Sequence, residues 1–127
     1  MKEEISFEDF QKLEIRIGTV VKAEVPEWSH WVMRLTVDFG PEIGEKIIFS
    51  GIMKFYKPEE LFDKQFPFVI NLKPKRIGPA NENGEYEYSN GMMMMAEGEL
   101  NIPDEAEDVA PVFLHPCNKV PSGVIIR

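Results

Sequence analysis

The chain has 127 residues, 43% of them apolar and 28% charged, and carries a net charge of −8 at pH 7. That length suits one domain with one core, and no run of eighteen apolar residues is present to span a membrane. The acidic balance excludes a broadly basic nucleic-acid surface but not a local basic patch. In chain order, Ser6 followed by Asp9 predicts a short helical turn over residues 6–10, with Ser6 as its cap. Leu13, Ile15 and Ile17 then alternate with Glu14 and Arg16, the period-two pattern of a half-buried strand that runs on to Val21. Gly18 inside it predicts a bulge or a sharp bend. Residues 33–39 alternate again, and Gly40, Pro41 and Gly44 mark the turn that follows.

Residues 46–50 form a third predicted strand, stopped by Gly51. Pro58, Glu59 and Glu60 sit where the first turn of a helix favours proline and acids. Residues 66–72 are a fourth strand, and Pro67 predicts that it lies near an edge or that the strand starts there. Asn81-Glu82-Asn83-Gly84 is a turn, residues 91–96 a fifth strand, and residues 109–127 extended and rich in loops. Five short strands with one short helix between the third and fourth is the element order of a mainly β, Greek-key OB-fold barrel. On pattern alone, a generic small β-barrel or sandwich is the alternative.

Little points to catalysis. His30 and His115 are far apart, no serine nucleophile motif accompanies either, and Cys117 lies two residues from His115 without an orienting group. One cysteine and two histidines do not make a usual zinc set, and no Gly-rich phosphate loop is present. The chain is therefore expected not to be an enzyme and to need no cofactor or metal. The run Met92 to Met95 puts Met92 and Met94 on one strand face and Met93 and Met95 on the other, so at most two sulfurs could converge. One pair is expected to fill the core; the other would meet a ligand or a partner subunit, or pack under the acidic segment that follows. Trp28 and Trp31 bracket a loop between the first two strands, where aromatics either stack on unpaired bases or close the end of the barrel. The sequence leaves both open. Lys54, Lys57 and Lys64 are expected on a solvated face.

The charge is unevenly spread. Residues 77–118 hold nine acids, from Glu82 through Glu107 to Asp108, and neither lysine nor arginine. Elsewhere 14 basic residues face the other 13 acidic ones, and Lys73, Lys75 and Arg76 form a small basic run. The first ten residues are too acidic for a signal peptide, so a cytoplasmic location is expected. The single cysteine offers no internal disulfide, which suits that compartment.

Three short motifs line up behind this frame. Ser50-Gly51-Ile52 precedes a Lys-x-Tyr-x-Pro-Glu-Glu-Leu stretch at residues 54–61, Asn71-Leu72-Lys73-Pro74 follows the fourth strand, and Ser89-Asn90-Gly91-Met92 opens the fifth. The series resembles the tRNA-binding domain family of standalone structure-specific tRNA-binding proteins. The same domain is appended to methionyl-tRNA synthetases and to the precursor of endothelial monocyte-activating polypeptide. Residues 5–10, 16–19 and 36–40 look like its CsaA branch. The resemblance covers about residues 5–123, although the loop holding Trp28 and Trp31 lacks the lysine found there in many members.

The resemblance implies an OB-fold with a C-terminal extension, about residues 109–127, that pairs two subunits into a homodimer. It implies a non-catalytic protein that binds tRNA by shape, at the outer corner of the L. By motif, the implied contacts are Asn71, Lys73, Ser89 and Met92, with Arg16, Arg34, Lys75 and Arg76 extending the patch. Lysine offers phosphate a charge, Asn and Ser offer hydrogen bonds, and Met an apolar platform. Ser50 and Gly51 are expected to serve the tight strand exit. The CsaA branch implies, as an alternative, a chaperone for unfolded or exported polypeptides; a third role is a module docked on an aminoacyl-tRNA synthetase. No membrane partner is expected.

Overall fold

The computed structural model describes residues 1–106 and 108–127; Glu107, one of the nine acids, lies outside the described residues. The chain opens with helix α1 (Phe7–Gln11), whose cap is Ser6: the Asp9 N–H donates to Ser6 Oγ at 3.1 Å. Strands β1 (Ile15–Glu24), β2 (Met33–Asp38) and β3 (Glu45–Ser50) follow as an antiparallel meander, with one helical turn, α2 (Gly40–Ile43), between the last two. A 3-10 turn (Pro58–Glu60) leads to β4 (Gln65–Val69), then β5 (Lys75–Ile77), β6 (Glu87–Ser89), β7 (Met92–Met93), β8 (Met95–Ala96) and β9 (Val112–Phe113). Among the described residues, no helix is long and apolar enough to cross a membrane.

Five strands make one sheet in the order β3, β2, β1, β4, β7, every neighbouring pair antiparallel. Its two edges come back together. The Asn90 N–H donates to the Ile47 carbonyl at 2.9 Å, and the Phe49 N–H to Ser89 Oγ at 2.9 Å. The result is a nearly closed five-stranded barrel of OB-like form, as expected from the element order. Alternation drives it: Met33, Leu35 and Val37 of β2 are buried, while Arg34, Thr36 and Asp38 between them are half-buried. Those three meet Val20, Ile48, Phe66, Phe68 and Met93 in a continuous core, each large side chain contributing roughly 1.5–3 kcal/mol by leaving water.

Three expectations shift. The bulge in β1 falls at Val21, between the Val20 and Lys22 pairings, not at Gly18. Gly18 pairs with Phe66, and a Cβ there would run into Val37 and Phe39, so its bareness lets the barrel wall close. Pro67 is in the middle of β4, between β1 and β7, and not at an edge. The named β7 pairing ends at Phe68, and at Pro67 the cross-strand bond uses the carbonyl, which proline keeps: the Met94 N–H donates to it at 2.9 Å. The fifth predicted strand is two, β7 on β4 and β8 on β9. Met93 is core and Met95 packs against it, whereas Met92 is exposed and Met94 half-buried.

The β5–β6 hairpin is an addition to the expected strands, since only the turn at its tip carries a local signal. Asn81 makes that turn, its Oδ1 accepting from the Asn83 and Glu85 N–H groups at 2.9 Å each. Strands of three residues are too short to show a period.

The C-terminal segment runs along its own barrel. The Ile17 N–H donates to the Val124 carbonyl at 3.0 Å, and the Gly123 and Ile126 N–H groups donate to Ile17 and Ile15. These bonds cover the half of β1 that β2 leaves bare. Buried Gln65 fastens the approach, donating to the Val120 carbonyl at 2.6 Å and accepting from the Val120 N–H at 3.1 Å.

Candidate nucleic-acid interface

Where the β1–β2 loop meets the β5–β6 hairpin, the barrel carries a cleft of about 480 Å³. Its floor is Val32, Phe49 and Ile77, and its walls include Trp31, Leu72 and Met92. Lys73 and Lys75 stand at it, exposed, and neither makes an ion pair among the described residues. None of the residues that line it is acidic. Of the nine acids, Glu87 is tied to Arg34, while Glu82 and Glu85 lie between β5 and β6.

The sequence-predicted residues divide in two. Lys73, Lys75, Ser89 and Met92 line this one cleft. Met92 is 54% exposed, a free thioether surface. Ser89 is buried, and its hydroxyl is engaged twice, accepting from the Phe49 N–H and donating to the Gly91 carbonyl at 3.0 Å. It therefore latches the barrel seam and shapes the cleft.

The other four stand elsewhere. Asn71 has both ends of its amide in use: Oδ1 accepts from the Glu14 N–H at 2.8 Å, and Nδ2 donates to the Lys12 carbonyl at 2.6 Å. It ties the end of β4 to the start of β1. Arg16 pairs with Glu14 at 2.7 Å and donates to the Gly123 carbonyl at 2.8 Å, so it clamps the C-terminal segment. Arg76 follows Lys75 on β5 and so faces the other way, its guanidinium 4.2 Å above the Tyr86 ring.

Arg34 is held between two carboxylates, Glu87 through two hydrogen bonds and Glu24 at 3.0 Å, with its charge over the Phe49 ring at 5.6 Å. Glu87 raises the pKa of this guanidinium, and the hydrogen bond from Arg34 holds the Glu24 carboxyl below its ordinary value. Arg34 thus braces the β5–β6 hairpin against β2 and backs the cleft floor. Its charge is already neutralised.

The two tryptophans part ways. Trp28 is half-buried, its ring against Gly78, whose φ of +73° and missing Cβ make room for it. Trp31 is 54% exposed on the cleft, edge-on to Trp28 with ring centres 6.2 Å apart. So Trp28 packs against Phe49 and Gly78, and Trp31 faces the open cleft. The pair in the loop was the available signal, but nothing local tells its members apart.

The sequence model of the family described as "tRNA binding domain" matches residues 15–124. The chain belongs to the tRNA-binding domain family. It is 45% identical over 122 residues, 96% of its length, to the methionine–tRNA ligase of Archaeoglobus fulgidus. It is 40% identical over 112 residues to that of Porphyromonas gingivalis. The chain spans only 16% and 15% of those two relatives. Among solved structures, a MetRS-related protein from Pyrococcus horikoshii superposes with a TM-score of 0.76 at 32% identity, covering 99% of this chain and all of that one. A chaperone CsaA from Bacillus anthracis gives 0.73 at 34% identity, covering 98% of this chain and all of that one. The likeness to these two structures therefore covers nearly the whole chain, more than the residues 15–124 matched by the family model.

Proposed function

We propose that the chain is a non-catalytic tRNA-binding protein that works as a homodimer and reads tRNA by shape, at the outer corner of the L. One observation carries the reading. Lys73 and Lys75, free of acidic partners among the described residues, flank an apolar and aromatic cleft with no acid in its lining. Phosphates settle on the lysines, and exposed base or ribose surface meets Met92, Leu72 and Trp31. A compartment that holds tRNA, the cytoplasm, follows from this. In fluorescence anisotropy, folded tRNA is expected to bind saturably and more weakly as salt rises, and better than the same RNA heat-unfolded without magnesium. Equal binding of both forms would remove the shape reading, and no binding at low salt the whole proposal.

The dimer has a candidate face, in which the end of the extension expected at residues 109–127 joins helix α1. Phe7 and Phe10 of α1, with Leu13, Ile125 and Ile126, line one groove and are all exposed, Phe7 to 71%. A contiguous apolar patch of this kind marks an association surface. A second copy could cover it about a two-fold axis. Phe7→Asp is the cleanest probe, since an acid in the first turn of a helix does not weaken it. The wild-type chain is expected to scatter light as a dimer and this variant as a monomer with unchanged circular dichroism. A monomeric wild type, or a dimeric variant, would refute the assignment.

The likeness to CsaA proteins named as chaperones favours one second reading, capture of unfolded polypeptides on the same apolar groove. That binding would hardly respond to salt, because burial of apolar surface drives it. Docking on a synthetase through this face is the remaining form of the same idea.

A further inference from the structure

From Trp31 we infer that the cleft takes one unpaired nucleobase, stacked on the indole, with its neighbouring phosphates on Lys73 and Lys75; the inference rests on the nucleic-acid reading above. Trp31 is exposed yet held. Ser29 Oγ accepts from the Trp31 N–H at 3.2 Å and the Val32 N–H at 2.8 Å and donates to the Val32 carbonyl, which fixes the loop. Trp28 braces the ring from one side, and its own ring is seated on Gly78. An apolar ring kept rigid in water has no use in the packing of the barrel. It has one as a platform, because every base offers a π-face to stack on.

Size and charge select the occupant. About 480 Å³ lies in the lower part of the roughly 300–1,000 Å³ range of small-ligand clefts, enough for a flat ring but not for a base pair within a helix. The facing wall, Met92 and Leu72, is apolar and exposed, suited to the second face of a ring. The two lysines distinguish a nucleotide from an apolar peptide side chain, which would leave both charges without a counterpart. Double-helical RNA could reach the lysines but not the indole. An accessible unpaired base, at a loop or a strand end, is then needed for full affinity.

The test is a titration of the full chain with hexaadenylate RNA, its DNA counterpart, and an abasic hexamer of equal charge, followed by tryptophan fluorescence and by anisotropy. Both base-bearing oligomers are expected to quench emission saturably, and the abasic one to bind roughly tenfold or more weakly. Trp31→Ala should lose that same factor and the quenching while keeping the salt slope, which counts phosphates on lysines. Trp31→Phe should restore most of the affinity. The inference is overturned if Trp31→Ala binds the hexamers as the wild type does, if the abasic hexamer binds equally well, or if only an apolar peptide quenches Trp31. A failed stacking inference and a failed site are distinguishable. Variants of Lys73 and Lys75 that leave folded-tRNA binding unchanged remove the site itself, whereas an effect of the lysines without one of Trp31 removes only the stacking.

Discussion

Lys73→Ala combined with Lys75→Ala is expected to weaken tRNA binding by roughly a hundredfold at low salt and to flatten its salt dependence. Each ammonium, set against a phosphate, is worth about 1.5 kcal/mol or more as a hydrogen bond to a charged group, which is about tenfold in affinity. Each contact also releases condensed counterions, so losing two should lower the log–log salt slope by roughly 1.5–2. Neither change should disturb the fold. Both side chains are exposed, and Lys75 takes its place in β5 through its backbone alone. Affinity measured across a salt series, with circular dichroism as the fold control, decides the matter. A double variant with wild-type affinity or an unchanged slope would mean that phosphates are met on another face. The remaining basic side chains near the cleft are poor substitutes, since Arg34 is neutralised by Glu24 and Glu87 and Arg76 lies over Tyr86.

Phe66→Ala should bring the chain close to unfolding. The ring is fully buried, 4.8 Å from His115 and 5.1 Å from Phe113 between centroids, and edge-on to Phe68 at 6.4 Å. It thus joins the barrel core to the C-terminal segment that returns along the wall. Removing a buried phenylalanine costs about 3–5 kcal/mol, transfer and cavity together, against a total of roughly 5–15 kcal/mol for a domain. The expected result is a fall of about 10–20 °C in Tm and a proportionate drop in the urea midpoint. Amide exchange adds a second readout. The Ile17 N–H is bonded to Val124, so loosening of the C-terminal segment should speed its exchange more than that of the β2–β3 ladder. A loss below about 1 kcal/mol would mean that the neighbouring rings collapse into the gap, and the central place given to Phe66 would be withdrawn.

How legible the candidate site was differs residue by residue. Lys73, Ser89 and Met92 were pointed out by short motifs, and they do converge, because the turns after β4 and β6 carry them to one cleft. Asn71 belongs to the same motif, yet its amide holds the backbone of Lys12 and Glu14. Arg16 and Arg34 were placed correctly on the polar sides of their strands. Their partners were invisible, since Gly123 is 107 residues from Arg16 and Glu87 is 53 from Arg34. Whether a cation is free to meet a phosphate depends on those distant acids and carbonyls, and no local pattern records them.

By itself the sequence determined the barrel and the family. Period-two alternation in β1 and β2, the punctuation by Gly40, Gly44 and Gly51, and the three motifs are local features, read over a few residues, and local features specify strands and turns. The tertiary structure alone decided which of the eight candidate contacts remain available, which tryptophan faces water, and where the C-terminal segment lies. Each of these is settled by what packs against a side chain after distant strands have paired: Glu87 beside Arg34, Gly78 beneath Trp28, Val124 along Ile17. A group's availability is what remains when those contacts have formed, and it exists only in the folded chain.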